Sequence, residues 1–163
     1  MRDNIDLVIF GSQGDLAKRK LLPALYRLDK ADLLPDNARI ASVARHQIST
    51  NIYLNQVQEN LQQVIPKKEW DNKVWTRFKR RIYYIKVDFS QKKQFNHVSD
   101  WMEENRKVIF YLATPPSLYE SICKHMASTG CVSENTRIVL EKPIGHDLRS
   151  SKQVNDFFYP KKA

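Results

Sequence analysis

An apolar run that ends in a glycine-containing turn is the feature that most constrains this chain. Leu7 to Phe10 are four apolar residues of a kind that favours β-strands, and they lead directly into Gly11. A helix-compatible segment begins only a few residues later. The pattern predicts a buried strand that turns abruptly into a helix, which is the geometry that holds a phosphate at a helix N-terminus.

The turn is predicted to bind the diphosphate of a dinucleotide. Gly11 allows a close backbone approach, Gly14 leaves amide groups at the helix start uncovered, and Ala17 keeps the first helical turn small. The spacing differs from the common G-x-G-x-x-G because Gln13 stands where the second glycine would be. By spacing alone, a dinucleotide site and an ordinary strand-to-helix turn both remain open.

Strand and helix patterns alternate along the rest of the chain. The predicted strands cover residues 7–10, 40–44, 82–88, 108–113 and 138–140. Helical patterns separate them, and Pro23 predicts a break in the middle of the first helix. This alternation predicts an α/β fold with a doubly wound, Rossmann-type parallel sheet of order 3-2-1-4-5.

A sheet of this kind places its ligand crevice at the carboxyl ends of the strands. The residues predicted there are Gly11 to Ala17, Arg45, Val87, Asp88, Thr114, Pro115 and Lys142. Arg45 follows the second strand, where an NAD site would carry an acidic residue, whereas an arginine pairs with a 2′-phosphate. The predicted coenzyme is therefore NADP, and a plain surface arginine is the alternative.

Composition limits the remaining function classes. The chain has 163 residues, enough for one domain, and 42% of them are apolar, which excludes general disorder. Its net charge is +9, but the basic runs are scattered and lack an aromatic platform, so we interpret them as solvated surface and not as a nucleic-acid interface. These runs lie at residues 67–68, 79–81, 92–93 and 161–162.

No targeting, membrane or metal pattern stands out. The first residues do not form the apolar core of a signal peptide, and the apolar runs are too short for a membrane span, so a cytoplasmic protein is expected. Cys123 and Cys131 are eight positions apart without a C-x-x-C motif, which favours buried thiols over a disulfide or a metal site.

Three blocks together resemble the glucose-6-phosphate dehydrogenase family. The first is G-x-x-G-D-L-A-K-R-K-L-x-P, which runs from Gly11 to Pro23. The second is the A-x-P-P turn that ends at Pro116, and the third is E-K-P-x-G from Glu141 to Gly145. The resemblance implies an NADP-dependent oxidation of glucose 6-phosphate to 6-phosphogluconolactone, and a homo-oligomer for the complete enzyme.

The resemblance also implies residue roles. The diphosphate would contact Gly11, Ser12, Gly14, Asp15, Leu16 and Ala17, the 2′-phosphate Arg45, and the adenosine Val87 and Asp88. Lys142 would touch both ligands, aimed by a cis bond before Pro143, and Lys20 would lie near the substrate. An exposed lysine before a turn is the alternative for Lys142.

One block of the family has no counterpart in this sequence. The family's R-I-D-H-Y-L-G-K block, with its histidine base, is absent, so no catalytic residue is expected in these 163 residues. The expected organisation is an NADP-binding domain over residues 1–158 and an aberrant or disordered tail over 159–163, without a sixth strand or a substrate domain. Two functions follow: a fragment of the dehydrogenase, or an NADP-binding module without turnover of its own.

Overall fold

The apolar runs of the sequence form one parallel sheet. The structure, a computed structural model, describes residues 4–140. Its five strands are β1 (Ile5–Phe10), β2 (Arg39–Ala44), β3 (Ile82–Lys86), β4 (Lys107–Leu112) and β5 (Thr136–Leu140). All neighbours are parallel and the order is β3-β2-β1-β4-β5. The predicted fold class and strand order are confirmed.

Helices cover both faces of the sheet. A π-helical segment, Ala17–Leu21, continues into α1 (Leu22–Lys30), and α2 (Thr50–Val64), α3 (Asn72–Lys79), α4 (Asn96–Trp101) and α5 (Tyr119–Ser128) follow. The buried side chains of α1, α2 and α3 form one apolar core, and those of α4 and α5 form a second core on the other face. The sheet is thus doubly wound, as alternating strands and helices predict.

The strand register brings the predicted site residues to one edge. Phe10, the last residue of β1, pairs with Val43 of β2 and with Leu112 of β4. The segments that follow these three strands therefore leave the sheet side by side. The third strand is shorter than predicted: it ends at Lys86, because the chain turns at Asp88.

The predicted break at Pro23 takes the form of a widened helical turn. In the π-helical segment the Leu22 amide bonds the Ala17 carbonyl, five residues back. In the same register the Lys18 carbonyl would accept from residue 23, but proline has no N–H. The side-chain amide of Asn60 in α2 donates to that carbonyl instead, at 2.8 Å. A side chain of α2 thus replaces the missing backbone bond.

A buried carboxylate holds two arginines at the opposite edge of the sheet. Asp29 at the end of α1 is 2% exposed and pairs with Arg81, which is 7% exposed, at 3.1 Å. Arg77 of α3 pairs with the same carboxylate at 3.1 Å. Our interpretation of the 79–81 basic run as solvated surface is therefore wrong for Arg81, which is buried because its charge is neutralised by Asp29. A similar cluster joins Asp6, Arg39 and Arg106.

Several predictions fall on residues that the structure does not describe. They are Lys142, the bond before Pro143, the helix predicted over 147–158 and the tail over 159–163. Within residues 4–140, no helix is long and apolar enough to cross a membrane. In the same range, Cys123 and Cys131 are free thiols buried in the core, and burial raises the pKa of Cys123 to about 12.

Candidate dinucleotide site

The glycine turn is built on the end of β1 and tied to β2. The amides of Gly11 and Ser12 both donate to the carbonyl of Val43, at 3.0 and 3.3 Å. The Gly14 amide then donates back to the Gly11 carbonyl at 3.0 Å. Gly11 has φ +86°, a left-handed conformation that favours glycine. The abrupt strand-to-helix turn predicted from the sequence is confirmed.

Close packing against β4 also requires glycine at position 11. A β-carbon built on Gly11 would lie 3.0 Å from the Ala113 carbonyl oxygen and 3.1 Å from Cγ2 of Thr114. A β-carbon on Gly14 would lie 3.3 Å from the Gly11 carbonyl oxygen. The two glycines therefore let the turn lie directly against the end of β4.

The start of the first helix presents backbone donors. The bonds within the turn use the amides of Gly11, Ser12, Gly14 and Lys18. None of these bonds uses the amides of Asp15, Leu16 or Ala17, which lie in the first helical turn. Such amides, together with the helix dipole, are a binding site for a phosphate. Of the residues predicted to contact the diphosphate, Asp15, Leu16 and Ala17 are therefore the ones whose amides are not used by bonds within the turn.

The side chains of the turn divide into buried and exposed groups. Ser12 is 1% exposed, and the methyl group of Ala17 is fully buried against the core of α1 and α2. Leu16 is half-buried, whereas Asp15 is exposed. A ligand above the turn would therefore meet backbone, since the small side chains of Ser12 and Ala17 are directed into the protein.

A cluster of buried hydroxyls lies beneath the turn. Tyr53 of α2 is 2% exposed, and its ring contacts that of Tyr84, with centroids 4.8 Å apart. Burial raises the pKa of Tyr53, and the nearby hydroxyls of Ser42 and Ser12 oppose this rise. Within residues 4–140, none of the three hydroxyls makes a direct hydrogen bond of good geometry. They are neighbours without being firmly bonded to each other.

Arg45 lies where the sequence places it, directly after β2. Its side chain is exposed and takes part in no ion pair with the residues of the described range. Its charge acts on Asp88 after β3, whose pKa is lowered chiefly by hydrogen bonds from Ser90 and further by the charges of Arg45 and Lys86. The guanidinium of Arg45 is therefore available to an anion.

The two residues after β3 have structural roles of their own. Val87 is fully buried in the core of α4 and α5, and its amide donates to the Ala44 carbonyl at 2.9 Å. Asp88 accepts from the amide and the hydroxyl of Ser90, at 3.0 and 2.7 Å, and so forms a tight turn. The side chain of Val87 is therefore committed to the core, and one oxygen of the Asp88 carboxylate is used by its own turn.

The other predicted site residues follow β4 or lie on the π-helical segment. Thr114 follows β4 and contacts the Gly11 position, and its hydroxyl is buried without a hydrogen bond to any described residue. Pro115 is exposed and precedes the short helical turn Pro116–Leu118. Lys20 is exposed on the π-helical segment. The structure therefore brings Thr114, but not Lys20, into contact with the glycine turn.

Sequence reasoning missed a cavity beside the turn. It has a volume of about 510 Å³, and Gln13, Lys18 and His46 are among its lining residues. The Gln13 amide nitrogen lies 3.5 Å from the Gln56 side-chain oxygen of α2. The residue that interrupts the glycine pattern thus extends toward α2, away from the β4 side of the turn. The only sequence feature that pointed to this side-chain contact is Gln13, which stands where the common pattern has its second glycine.

The described residues offer no alternative metal centre. Between residues 4 and 140, no group of three or more histidine, cysteine, aspartate or glutamate side chains is placed to hold a metal ion. The ligand-binding features of this range are instead the glycine turn, the helix start and Arg45 at the carboxyl edge of the sheet.

A parallel sheet of order 3-2-1-4-5 with a glycine turn after its first strand defines a Rossmann-type dinucleotide-binding domain. The model of the family described as glucose-6-phosphate dehydrogenase, NAD binding domain, matches residues 8–159. The chain therefore belongs to the glucose-6-phosphate dehydrogenase family, and these residues form its nicotinamide-dinucleotide-binding domain.

Bacterial relatives cover nearly the whole chain. It is 38% identical over 152 residues to the glucose-6-phosphate 1-dehydrogenase of Dickeya dadantii, covering 93% of this chain and 31% of the relative. It is also 38% identical over 160 residues to the enzyme of that name from Mycolicibacterium smegmatis, covering 94% and 32%. The chain thus spans about a third of the length of these relatives.

Solved structures agree with the fold. The crystal structure of glucose-6-phosphate 1-dehydrogenase from Mycobacterium avium superposes with a TM-score of 0.85 at 28% identity, covering 100% of this chain and 35% of that one. A second glucose-6-phosphate dehydrogenase, in complex with glucose 6-phosphate, gives a TM-score of 0.77 at 24% identity, covering 99% and 35%. The second likeness concerns the fold alone.

Proposed function

We propose that this chain is the NADP-binding domain of a glucose-6-phosphate dehydrogenase. The observation that carries the choice of NADP over NAD is Arg45: an exposed guanidinium without an ion pair among residues 4–140 follows β2, beside the glycine turn. That position meets the 2′ side of the adenosine ribose in a Rossmann-type domain, where a cation favours the 2′-phosphate.

The binding roles follow from the turn. The diphosphate lies over the amides of Asp15, Leu16 and Ala17, with Gly11 and Gly14 allowing its close approach. Thr114 and Pro115 border the crevice from the β4 side. The backbone at Val87 and Asp88 borders the adenosine, because their side chains are committed to the core and to a turn.

The whole protein's reaction is the oxidation of glucose 6-phosphate to 6-phosphogluconolactone. Bound NADP accepts a hydride from C1 of the sugar. In this chain, Lys142 and Lys20 are proposed to attract the sugar phosphate, since lysine is a compact cation on a flexible stem. The relatives' shared name supports this substrate. We place the protein in the cytoplasm and propose that the whole enzyme is a homo-oligomer.

Coenzyme choice is tested by calorimetric titration of the purified chain with NADP and with NAD. The unmutated chain should bind NADP more tightly. Arg45→Met should erase about one to two decades of that preference, since a hydrogen bond to a charged group contributes roughly 1.5–3 kcal/mol. Arg80→Met, a matched change at an exposed arginine near the opposite edge, should leave the preference unchanged. Equal affinities for the two coenzymes in the unmutated chain would refute the assignment.

An NADP-binding module without turnover is the alternative. Coenzyme binding alone does not separate it from the dehydrogenase domain, so the assay is nicotinamide reduction with glucose 6-phosphate. The 163-residue chain is expected to bind NADP without reducing it, because a positioned general base typically supplies about 10²–10⁴ in rate and none is expected here. Adding the downstream region of a close relative should restore turnover if the dehydrogenase assignment is correct, and should not for an unrelated module.

A further inference from the structure

A polar groove lies beside the glycine turn, between the π-helical segment and α2. Its volume is about 510 Å³. The lining residues are Gln13, Lys18, His46, Ile48, Gln56, Glu59, Asn60 and Gln63. We call it the α2 groove. Four of these side chains are carboxamides, so its walls are suited to hydrogen-bonded polar groups and not to an apolar ligand.

The α2 groove contains one permanent cation and one carboxylate. Lys18 is half-buried and comes from the π-helical segment, and Glu59 comes from α2. Neither side chain takes part in an ion pair with any residue between positions 4 and 140. The ammonium group of Lys18 is therefore available to an anionic ligand, and Glu59 would oppose that ligand.

The backbone of Lys18 is held while its side chain is uncommitted. Asn60 donates to the Lys18 carbonyl at 2.8 Å and so fixes the residue against α2. The side-chain oxygen of Gln13 is buried and has no hydrogen-bond partner in the described range. An amide at this position can turn its N–H groups toward an anion. The wall next to the glycine turn thus combines an uncommitted cation on an anchored backbone with an adaptable amide.

The α2 groove adjoins the place where the proposed coenzyme carries its extra phosphate. His46, one of its lining residues, directly follows Arg45. Gln13, on the opposite wall, lies within the glycine turn itself. Since the residue after the second strand of a Rossmann-type domain meets the 2′ side of the ribose, a 2′-phosphate at Arg45 would lie beside the His46 side of the groove.

We propose that Lys18 is a second specificity-determining cation for the 2′-phosphate of NADP, acting from the α2 groove alongside Arg45. This inference rests on the proposed coenzyme function. A phosphate monoester carries close to two negative charges at neutral pH, so one arginine neutralises it only in part. A second cation completes the neutralisation, and NAD, which lacks this phosphate, gains nothing from it.

The experiment compares three variants by calorimetric titration with NADP and with NAD. Lys18→Met should weaken NADP binding about tenfold and change NAD binding less than about twofold. Arg19→Met, the same loss of charge at the neighbouring exposed residue, should leave both affinities unchanged. Glu59→Gln should strengthen NADP binding by roughly two- to fivefold, since it removes the charge that opposes the phosphate.

The Glu59→Gln variant keeps the test independent of folding, because a damaged protein would not gain affinity. The inference would be overturned if Lys18→Met left the ratio of the NADP and NAD affinities unchanged. An equal loss for both coenzymes would also overturn it, because it would place Lys18 on the shared diphosphate. Different results would contradict the proposed function. They are equal affinities for NADP and NAD in the unmutated chain, or an Arg45→Met variant whose preference for NADP is unchanged.

Discussion

Gly11 lies so close to the carbonyl group of Ala113 that a β-carbon on Gly11 would be 3.0 Å from the carbonyl oxygen. The contact joins the turn after β1 to the end of β4. Because φ at Gly11 is +86°, a larger residue would be strained even without this neighbour. Two separate physical reasons therefore require glycine at the centre of the proposed coenzyme site.

The first prediction is that Gly11→Ala lowers the free energy of unfolding by at least about 2 kcal/mol, from backbone strain and steric overlap together. NADP binding should be lost with it. Gly130→Ala is the matched control, because Gly130 has φ +77° but open space around the position of a β-carbon. It should cost only the strain, about 1–2 kcal/mol, and retain NADP binding. Urea unfolding and calorimetry measure both effects, and equal costs would contradict the role of the Ala113 contact.

The second prediction concerns the buried carboxylate of Asp29. Asp29→Asn should lower the free energy of unfolding by about 3–5 kcal/mol, because it leaves Arg81 buried without a counter-charge. The guanidinium would keep its hydrogen bonds to the backbone carbonyls of Pro35, Asp36 and Ala38. Asp32→Asn removes the same charge from an exposed ion pair with Arg77, where Asp32 is 81% exposed, and should cost less than about 1 kcal/mol. Denaturant midpoints of the two variants give the comparison. A similar small loss for both would show that the buried cluster contributes little.

The third prediction separates the ring of Tyr53 from its hydroxyl. Tyr53→Phe should change the free energy of unfolding by no more than about 1 kcal/mol, because the hydroxyl makes no firm hydrogen bond with the described residues. Tyr53→Ala should cost about 3–5 kcal/mol, since it removes a buried ring that packs on Tyr84. A large loss in Tyr53→Phe would mean that the hydroxyl beneath Ser12 is a main support of the turn.

The fourth prediction is a pH dependence of stability from His125. Its ring lies against Phe95, with centroids 5.2 Å apart, and burial, together with the charges of Lys124 and Lys92, lowers the pKa of His125 below 6.5. The folded state therefore binds this proton less readily than the unfolded state. The stability that the neutral His125 ring contributes to the fold is complete above the pKa of histidine in the unfolded state. This stability is lost as the pH falls through the lower pKa of His125 in the folded state.

The measurement is thermal unfolding between about pH 7 and about pH 5, the range on either side of an ordinary histidine pKa. The unmutated protein should lose more stability across this range than His125→Gln, which carries no titrating ring. Parallel curves for the two proteins would show that His125 does not contribute.

The sheet could be predicted from the sequence because each central strand is buried on both faces and therefore appears as a continuous apolar run. The position of Arg45 follows directly from that alternation. Arg81 could not be predicted as buried, since its partner Asp29 is 52 positions away and a basic run resembles solvated surface. The α2 groove could not be predicted from the sequence either, because it forms only where the π-helical segment packs beside α2.

Pro23 cannot donate a hydrogen bond to the Lys18 carbonyl, and Asn60 donates one in its place. This carbonyl therefore couples two positions that are distant in the chain. A residue with an amide hydrogen at position 23 could bond the Lys18 carbonyl itself, and Asn60 would then have no donor role to fill. In family members that keep the widened helical turn, the two positions should therefore change together during evolution. A proline at position 23 should be accompanied by a side-chain donor at position 60, and other residues at position 23 should leave position 60 free to vary.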